Sequence, residues 1–372
     1  MVDPVTHALA SLDVGAFTWI GGFLDAYTWW AFLFLAAVSY AIYPKVRNNK
    51  LRVLAFTVAL LLASILGLDA KQAYAESRPC WGSASQLKLP YCPEDYAFPS
   101  GHTLFSFVFA GASLGTSFFP LFFILAIIVA FSRVYMGVHT ITDVTGGVVV
   151  GLAAYFAADA LLRALYPRMV PESERRKLEK EKRRVPHFEV RRDVAHIVLG
   201  IGIIGAVLLL GVAWSELLLL LCLFMGMALM HLRMRQARVP VIDELFDLLE
   251  RPGEIPAKGA FMYLLGALLA LSFLGSAGAA LAVIAVLAFG DGMATIVGEL
   301  WGKKMPLFYN RKKSWPGTAA FVLFGSLAAF PFIGFPAVGL ALVCAIVETA
   351  DLKIDDNFLV PLAGVLFLLF LG

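Results

Sequence analysis

The sequence predicts an all-α polytopic integral membrane protein made of two helical-bundle domains with about twelve transmembrane helices. Three observations carry this. Of its 372 residues 60% are hydrophobic, with a mean hydropathy of +0.80. Apolar runs long enough to cross a bilayer recur along the whole chain, and Lys and Arg gather in a few short segments between them. The opening MVDPVTHALASLD lacks the basic region of a secretory signal, so targeting is expected to reside in the spans themselves. A net charge of +3 spread this way leaves nothing to attract a nucleic acid, and none is expected as a partner.

In chain order, apolar runs predict spans at 27–44, 51–70, 101–118, 120–137 and 141–164, with a shorter apolar segment at 8–23. After Tyr166-Pro167 the composition changes abruptly. The stretch PESERRKLEKEKRRVPHFEVRR is almost entirely charged and too long for a tight turn, so it reads as a cytoplasmic linker over 167–190. Domains are accordingly expected at 1–166 and 191–372. Spans follow at 194–212, 214–231, 258–274, 277–297, 316–333, 335–349 and 357–371. No internal repeat relates the two halves.

Basic residues in short loops set the orientation. PKVRNNKLR and the charged linker are expected on the cytoplasmic side, which agrees with an alternating count of spans. The helix ends bearing Lys71, Arg78, Ser100, His102, Arg133 and His139 then share the extracytoplasmic face, and the polar segments of the second half face the cytoplasm. In an oxidising compartment Cys80 and Cys92, which share one polar loop, are candidates for a disulfide. Cys222 and Cys344 lie in apolar runs and read as small hydrophobes.

The first half carries a phosphate-handling constellation. Lys71, Arg78 and Arg133 can neutralise phosphoryl oxygens. Lys71 and Arg78, seven residues apart, would share a face if their helix continues to Pro79. At Ser100-Gly101-His102 the chain re-enters a helix whose N-terminal N–H groups favour an anion, and Gly101 allows close backbone approach. His139 and Asp143 have the i, i+4 spacing that lets a carboxylate fix an imidazole tautomer and leave the other nitrogen to attack phosphorus. His102 is then placed to protonate the leaving group. The cations supply the positive field, so no metal is required for this site.

The pattern KxxxxxxRP, PSGH, SRxxxxxHxxxD resembles the type 2 phosphatidic acid phosphatase superfamily over roughly residues 20–165. That resemblance implies a metal-independent phosphatase for lipid phosphates or diphosphates, working through a phosphohistidine at His139 with His102 as acid. Lys71, Arg78, Ser100, Gly101 and Arg133 would form the phosphate pocket.

The second half has polar islands at membrane depth, where ionisable groups are costly and usually functional. Asp291, between two glycines in a long apolar stretch, is the sharpest, and it is the candidate to approach a phosphate or a metal-bound nucleotide. FEVRRDVAHIVLG, KGAFMYLLG, FGDGMATIVGELWGKK, KKSWPGTAA and DDNFLVPL, in that order over 187–372, resemble the CTP-dependent dolichol, phytol and diacylglycerol kinases. Carried over, the resemblance implies a site using CTP and Mg²⁺. It would comprise Arg192, His196, Lys258, Asp291, Gly298, Lys313, Gly317, Asp356 and Asn357, with Asp291 the metal candidate. The chain departs from the family at Asp193, where a Lys usually follows the arginine.

The combined expectation is a bifunctional membrane lipid enzyme. It would remove phosphate from a polyprenyl phosphate, polyprenyl diphosphate or phosphatidic acid outside and phosphorylate a lipid alcohol with CTP inside. A phosphatase whose C-terminal half is an inactive scaffold or regulatory module stays open as the alternative, as does, more remotely, a lipid or phosphate transporter.

Overall fold

A computed structural model describes residues 3–42, 49–82, 87–167, 189–237, 257–302, 305–350, 352 and 354–371. The chain divides into two compact units, Met1–Val170 and Pro171–Gly372. The linker expected at 167–190 lies, apart from its edges, outside the described residues, as does most of the basic loop before Lys50. Among the described residues the structure is helical, with one isolated bridge between Pro306 and Ser314.

The first unit comprises α1 (Pro4–Ala10), α2 (Gly15–Ile42), α3 (Lys50–Tyr74), α4 (Pro79–Gly82), α5 (Gly101–Ser113), α6 (Phe119–Tyr135) and α7 (Ile141–Leu165). α3, α5 and α7 pack against one another, α6 lies on α5, and α2 lies on α6. Small residues bring α5 and α7 together. A Cβ at Gly147 would stand 2.7 Å from the Ser100 carbonyl, and one at Gly151 2.2 Å from that of Leu104, so only glycine lets the backbones meet. This contact sets the start of α5 beside the start of α7, where the Ser100 N–H donates to the Asp143 carbonyl at 2.9 Å.

Two sequence expectations change here. The second half of the segment expected at 8–23 joins the span expected from 27 in a single continuous helix, α2, which therefore carries Asp25 inside it. α3 does not continue to Pro79: it ends at Tyr74, capped by Ala75 in the left-handed region at φ 45°. Lys71 sits in its last turn and Arg78 in the following loop, while Pro79 begins α4 rather than ending α3.

The second unit comprises α8 (Glu189–Leu210), α9 (Val212–Met234), α10 (Lys258–Phe273), α11 (Ala277–Ala285), a π-helical turn (Val286–Asp291), α12 (Gly292–Trp301), α13 (Trp315–Ile333), α14 (Pro336–Thr349) and α15 (Asp356–Leu371). α13 packs on α11, the π-turn, α12 and α14, while α15 packs on α10 and α14. Six helices, counted among the described residues, are long and apolar enough to cross a membrane, and five further apolar helices have 10–17 residues. The protein is thus all-α and polytopic; the described residues hold six helices of full spanning length and five shorter apolar ones, beside the about twelve spans expected.

Candidate active sites

In the first unit the sequence folds so that four helix termini meet: the ends of α3 and α6 and the starts of α5 and α7. Thr140 caps α7 in a reciprocal box: the Asp143 N–H donates to Thr140 Oγ1 at 3.1 Å, and the Thr140 N–H donates to Asp143 Oδ2 at 2.7 Å. His139 therefore precedes the helix rather than lying on it, and still places Nδ1 3.3 Å from Asp143 Oδ2. Both side chains are buried, Asp143 completely. The second carboxylate oxygen, Oδ1, is buried without a hydrogen-bond partner.

On the other side of the ring, His139 Nε2 is 3.0 Å from Arg78 Nη1. That guanidinium is 5% exposed; it also donates to the Val138 carbonyl at 3.1 Å and pairs with Asp95. Lys71 reaches Asp95 Oδ2 at 2.7 Å and the Tyr96 carbonyl. Burial, and after it the charges of Arg78, Lys71, Arg133 and His102, hold the His139 imidazole well below its ordinary pKa, so it is neutral near pH 7.

Arg133, at the end of α6 and 1% exposed, donates to Asp25 Oδ1 at 2.5 Å, to the Gly21 carbonyl at 3.2 Å and to Ser132 Oγ at 3.2 Å. Asp25 also accepts from the Tyr91 hydroxyl. Ser100 is the fully buried N-cap of α5, and open space surrounds the position a Cβ would take at Gly101, as access for an anion requires. His102, in the first turn of α5, stands with its ring 6.4 Å from that of Trp29 and within electrostatic range of Asp25 and Arg133. Cys80 and Cys92 form a disulfide with Cα atoms 6.0 Å apart, closing the loop that carries Tyr91.

All the residues expected at the first site thus converge. Three contributors were not expected: Asp25, Tyr91 and Asp95. Asp25 carries a readable signal, an acidic residue within an apolar run, but a span begun at 27 leaves it out. Asp95, in a polar loop, carries none.

In the second unit a second cluster forms. Lys313 pairs with Glu348 and stands 3.6 Å from Asp356 Oδ2, with Asp291 also acting on its charge. Burial opposes the charge on Lys313, but Glu348, Asp291 and Asp356 outweigh it and raise its pKa. Lys258 Nζ lies 3.4 Å from Asp355 Oδ2, and Asn357 Nδ2 donates to Asp355 Oδ1 at 3.0 Å. A Cβ at Gly259 would lie 3.9 Å from both Asn357 Nδ2 and His196 Nε2, so these two side chains flank the same open point. Asp291 closes the π-turn, an irregularity that frequently marks functional positions in helices.

Gly298 and Gly317 meet where α12 crosses α13, and a Cβ at Gly317 would stand 2.8 Å from the Ala294 carbonyl. Arg192 lies on α8, one turn before His196. Glu348 and Asp355 complete the cluster. Among the described residues no group of three or more His, Cys, Asp or Glu side chains is arranged to hold a metal ion.

Fold and site together define a membrane-embedded histidine site, with a second polar site in a separate helical unit. Residues 52–165 match the PAP2 superfamily. An uncharacterised protein of Methanocaldococcus jannaschii is 31% identical over 177 residues, covering 46% of this chain and 88% of that protein. The undecaprenyl-diphosphatase of Sulfolobus acidocaldarius is 36% identical over 97 residues, 25% of this chain and 47% of the relative. A probable chloroplastic phytol kinase of Triticum aestivum is 37% identical over 108 residues, 23% of this chain and 35% of the relative. The chain thus spans less than half the length of the latter two. No solved structure matches. The chain carries a PAP2 superfamily domain at residues 52–165, fused to a part similar to the phytol kinases.

Proposed function

We propose that the first unit hydrolyses a lipid phosphate or diphosphate by a metal-independent phosphohistidine mechanism, and that polyprenyl diphosphate, polyprenyl phosphate and phosphatidic acid are its substrate classes. The observation that carries this reading is the position of His139 between Asp143 on Nδ1 and Arg78 on Nε2. A guanidinium only donates, so Nε2 accepts and Nδ1 carries the hydrogen toward Asp143. The lone pair that must attack phosphorus therefore faces the guanidinium that would hold a phosphoryl oxygen.

In the first step Nε2 forms the N–P bond, the P–O bond to the leaving group breaks, and His102 gives that oxygen a proton. In the second step His102 takes a proton from water, the oxygen attacks phosphorus, and the N–P bond breaks to release inorganic phosphate and neutral His139. Lys71, Arg78, Arg133 and the N–H groups after Ser100 stabilise the charge on the equatorial oxygens. The distribution of basic residues supports an extracytoplasmic position for this site. Quenching with alkaline detergent during turnover, followed by phosphate analysis of the protein, tests the intermediate: alkali-stable, acid-labile phosphate on wild type and none on His139→Ala is the expected result.

The second unit, in this reading, phosphorylates a lipid alcohol from CTP on the cytoplasmic face. The cluster of Lys313, Glu348, Asp291 and Asp356 supports it, because such a group of ionisable residues in an apolar unit is costly unless used. Asp291 and Asp356 would supply oxygen donors to a bound Mg²⁺, with water and the nucleotide phosphates as the others. Mg²⁺, when bound, would neutralise charge on the nucleotide phosphates. Lys313 would hold a phosphoryl oxygen, and Lys258, His196 and Asn357 would line the approach of the acceptor. Transfer of labelled phosphate from CTP to a prenyl alcohol, lost in Asp291→Asn while phosphate release by the first unit persists, is the test. A first unit active beside an Asp291→Asn variant indistinguishable from wild type would leave the phosphatase alone.

A further inference from the structure

Lys71 and Arg78 share one carboxylate. Asp95 places Oδ2 2.7 Å from Lys71 Nζ and Oδ1 2.6 Å from Arg78 Nη2, and its backbone carbonyl accepts from Arg78 Nε at 2.7 Å. Each carboxylate oxygen faces a different cation, as two equatorial oxygens of a phosphoryl group would if the same Lys and Arg neutralised it. The other arm of Arg78 lies on His139 Nε2, so this carboxylate stands next to the nitrogen assigned to attack phosphorus. Exposure differs sharply along the pair: the Asp95 side chain is 57% exposed and that of Arg78 5%. The anion can swing out to solvent, whereas the cation cannot follow.

The loop bearing Asp95 is otherwise tied down. The Trp81 indole donates to the Pro93 carbonyl at 2.9 Å, the Ala97 N–H donates to the Glu76 carbonyl at 2.9 Å, and the disulfide joins Cys92 to Cys80. Release of the carboxylate therefore needs only a side-chain rotation together with a small shift of one peptide.

We propose that Asp95 is a specificity-determining residue: a tethered monoanion that a ligand must displace from Lys71 and Arg78, which admits dianionic terminal phosphoryl groups and excludes singly charged phosphodiesters. This rests on the phosphatase reading of the site. A dianion gains roughly twice the Coulomb attraction of a monoanion from the same two cations. A phosphodiester gains nothing over a carboxylate of equal charge that is already in place at no cost of association. Phosphodiester head groups surround any membrane enzyme in great excess, so rejection by a competing charge is more effective than added affinity for the substrate. Asp95 keeps its charge throughout the working range: burial works against ionisation, but the Lys71 hydrogen bond and the charges of Arg78 and Lys71 hold its pKa at about 2.

The experiment compares inorganic phosphate with dimethyl phosphate, a monoanionic diester, on the full-length protein in detergent at pH 8. Affinity is read by inhibition of phosphate release and, without substrate, by the shift in melting temperature. Wild type is expected to bind inorganic phosphate at least about tenfold tighter than dimethyl phosphate. Asp95→Asn is expected to bind both anions at least about tenfold tighter than wild type does, so that dimethyl phosphate, excluded by wild type, now binds, while Asp95→Glu keeps the wild-type exclusion. Equal affinities in wild type would overturn the proposal without any variant, as would an unchanged affinity for dimethyl phosphate in Asp95→Asn. Failure of the phosphatase reading shows separately, as absent phosphate release while the melting shifts still rank the two anions.

Discussion

Arg78 Nη1 lies 3.0 Å from His139 Nε2, on the opposite side of the ring from Asp143. Because guanidinium can only donate, this contact fixes the tautomer from one side as the carboxylate does from the other. An imidazole held this way presents its lone pair to the place where Arg78 would bring a phosphoryl oxygen. The same proximity adds to burial in keeping the ring neutral.

Asp143→Asn should separate charge from folding. The amide oxygen, in the place of Oδ2, can still accept from the Thr140 N–H and from His139 Nδ1, so the helix cap is kept, but the negative charge that stabilises the imidazole as it turns cationic is lost. The expected loss in kcat is about 10²- to 10⁴-fold with little change in melting temperature. Asp143→Ala loses the cap as well, at about 1 kcal/mol. Steady-state kinetics beside thermal melts check both.

The depressed pKa of His139 fixes the sign of a pH effect. The neutral form is the nucleophile, so the acid limb of kcat/KM belonging to it should lie below pH 6.5, and a limb at or above 6.5 would contradict its placement. Arg78→Gln or Lys71→Gln should move that limb upward while lowering the rate. For stability, the unfolded chain binds the proton more readily, so the contribution of His139 is complete above about pH 6.5 and is lost as pH falls toward the folded value.

Asp25 and Arg133 form a buried pair joining α2 to the end of α6, with side chains 8% and 1% exposed. Asp25→Ala leaves the guanidinium buried and uncompensated, and is expected to cost about 3–5 kcal/mol. Asp25→Asn combined with Arg133→Gln should cost less than the sum of the single changes. A double-mutant cycle on unfolding measures that coupling.

Gly151→Ala tests the seam between α5 and α7. The added Cβ would stand 2.2 Å from the Leu104 carbonyl, so the helices must separate, at about 1–3 kcal/mol. Because the same seam sets Ser100 beside Asp143, activity should fall together with stability. Ala at Gly101, where space is open, should leave stability nearly unchanged.

How far the site could be read in advance depended on how local its geometry is. Asp143 lies four residues from His139, and one helical turn is enough to bring them together, even though the ring precedes the helix. Arg78 depended on a reading of Pro79 as the end of a helix that in fact stops at Ala75, a position with no glycine or asparagine to announce it. Asp25 and Asp95 meet Arg133 and Lys71 across 108 and 24 residues of chain, and only tertiary packing creates those pairs. Gly317 illustrates a different limit. Its contact with the Ala294 carbonyl comes from the crossing of α12 and α13, which no local pattern announces.

The most direct measurement is phosphate release by purified protein in detergent with a chelator present, from polyprenyl diphosphate, polyprenyl phosphate and phosphatidic acid, beside His139→Ala. Release from at least one lipid, unaffected by the chelator and abolished in His139→Ala, is the expected result. Release that persists in His139→Ala, or that disappears with the chelator in wild type, would contradict the mechanism built on His139, Asp143 and Arg78.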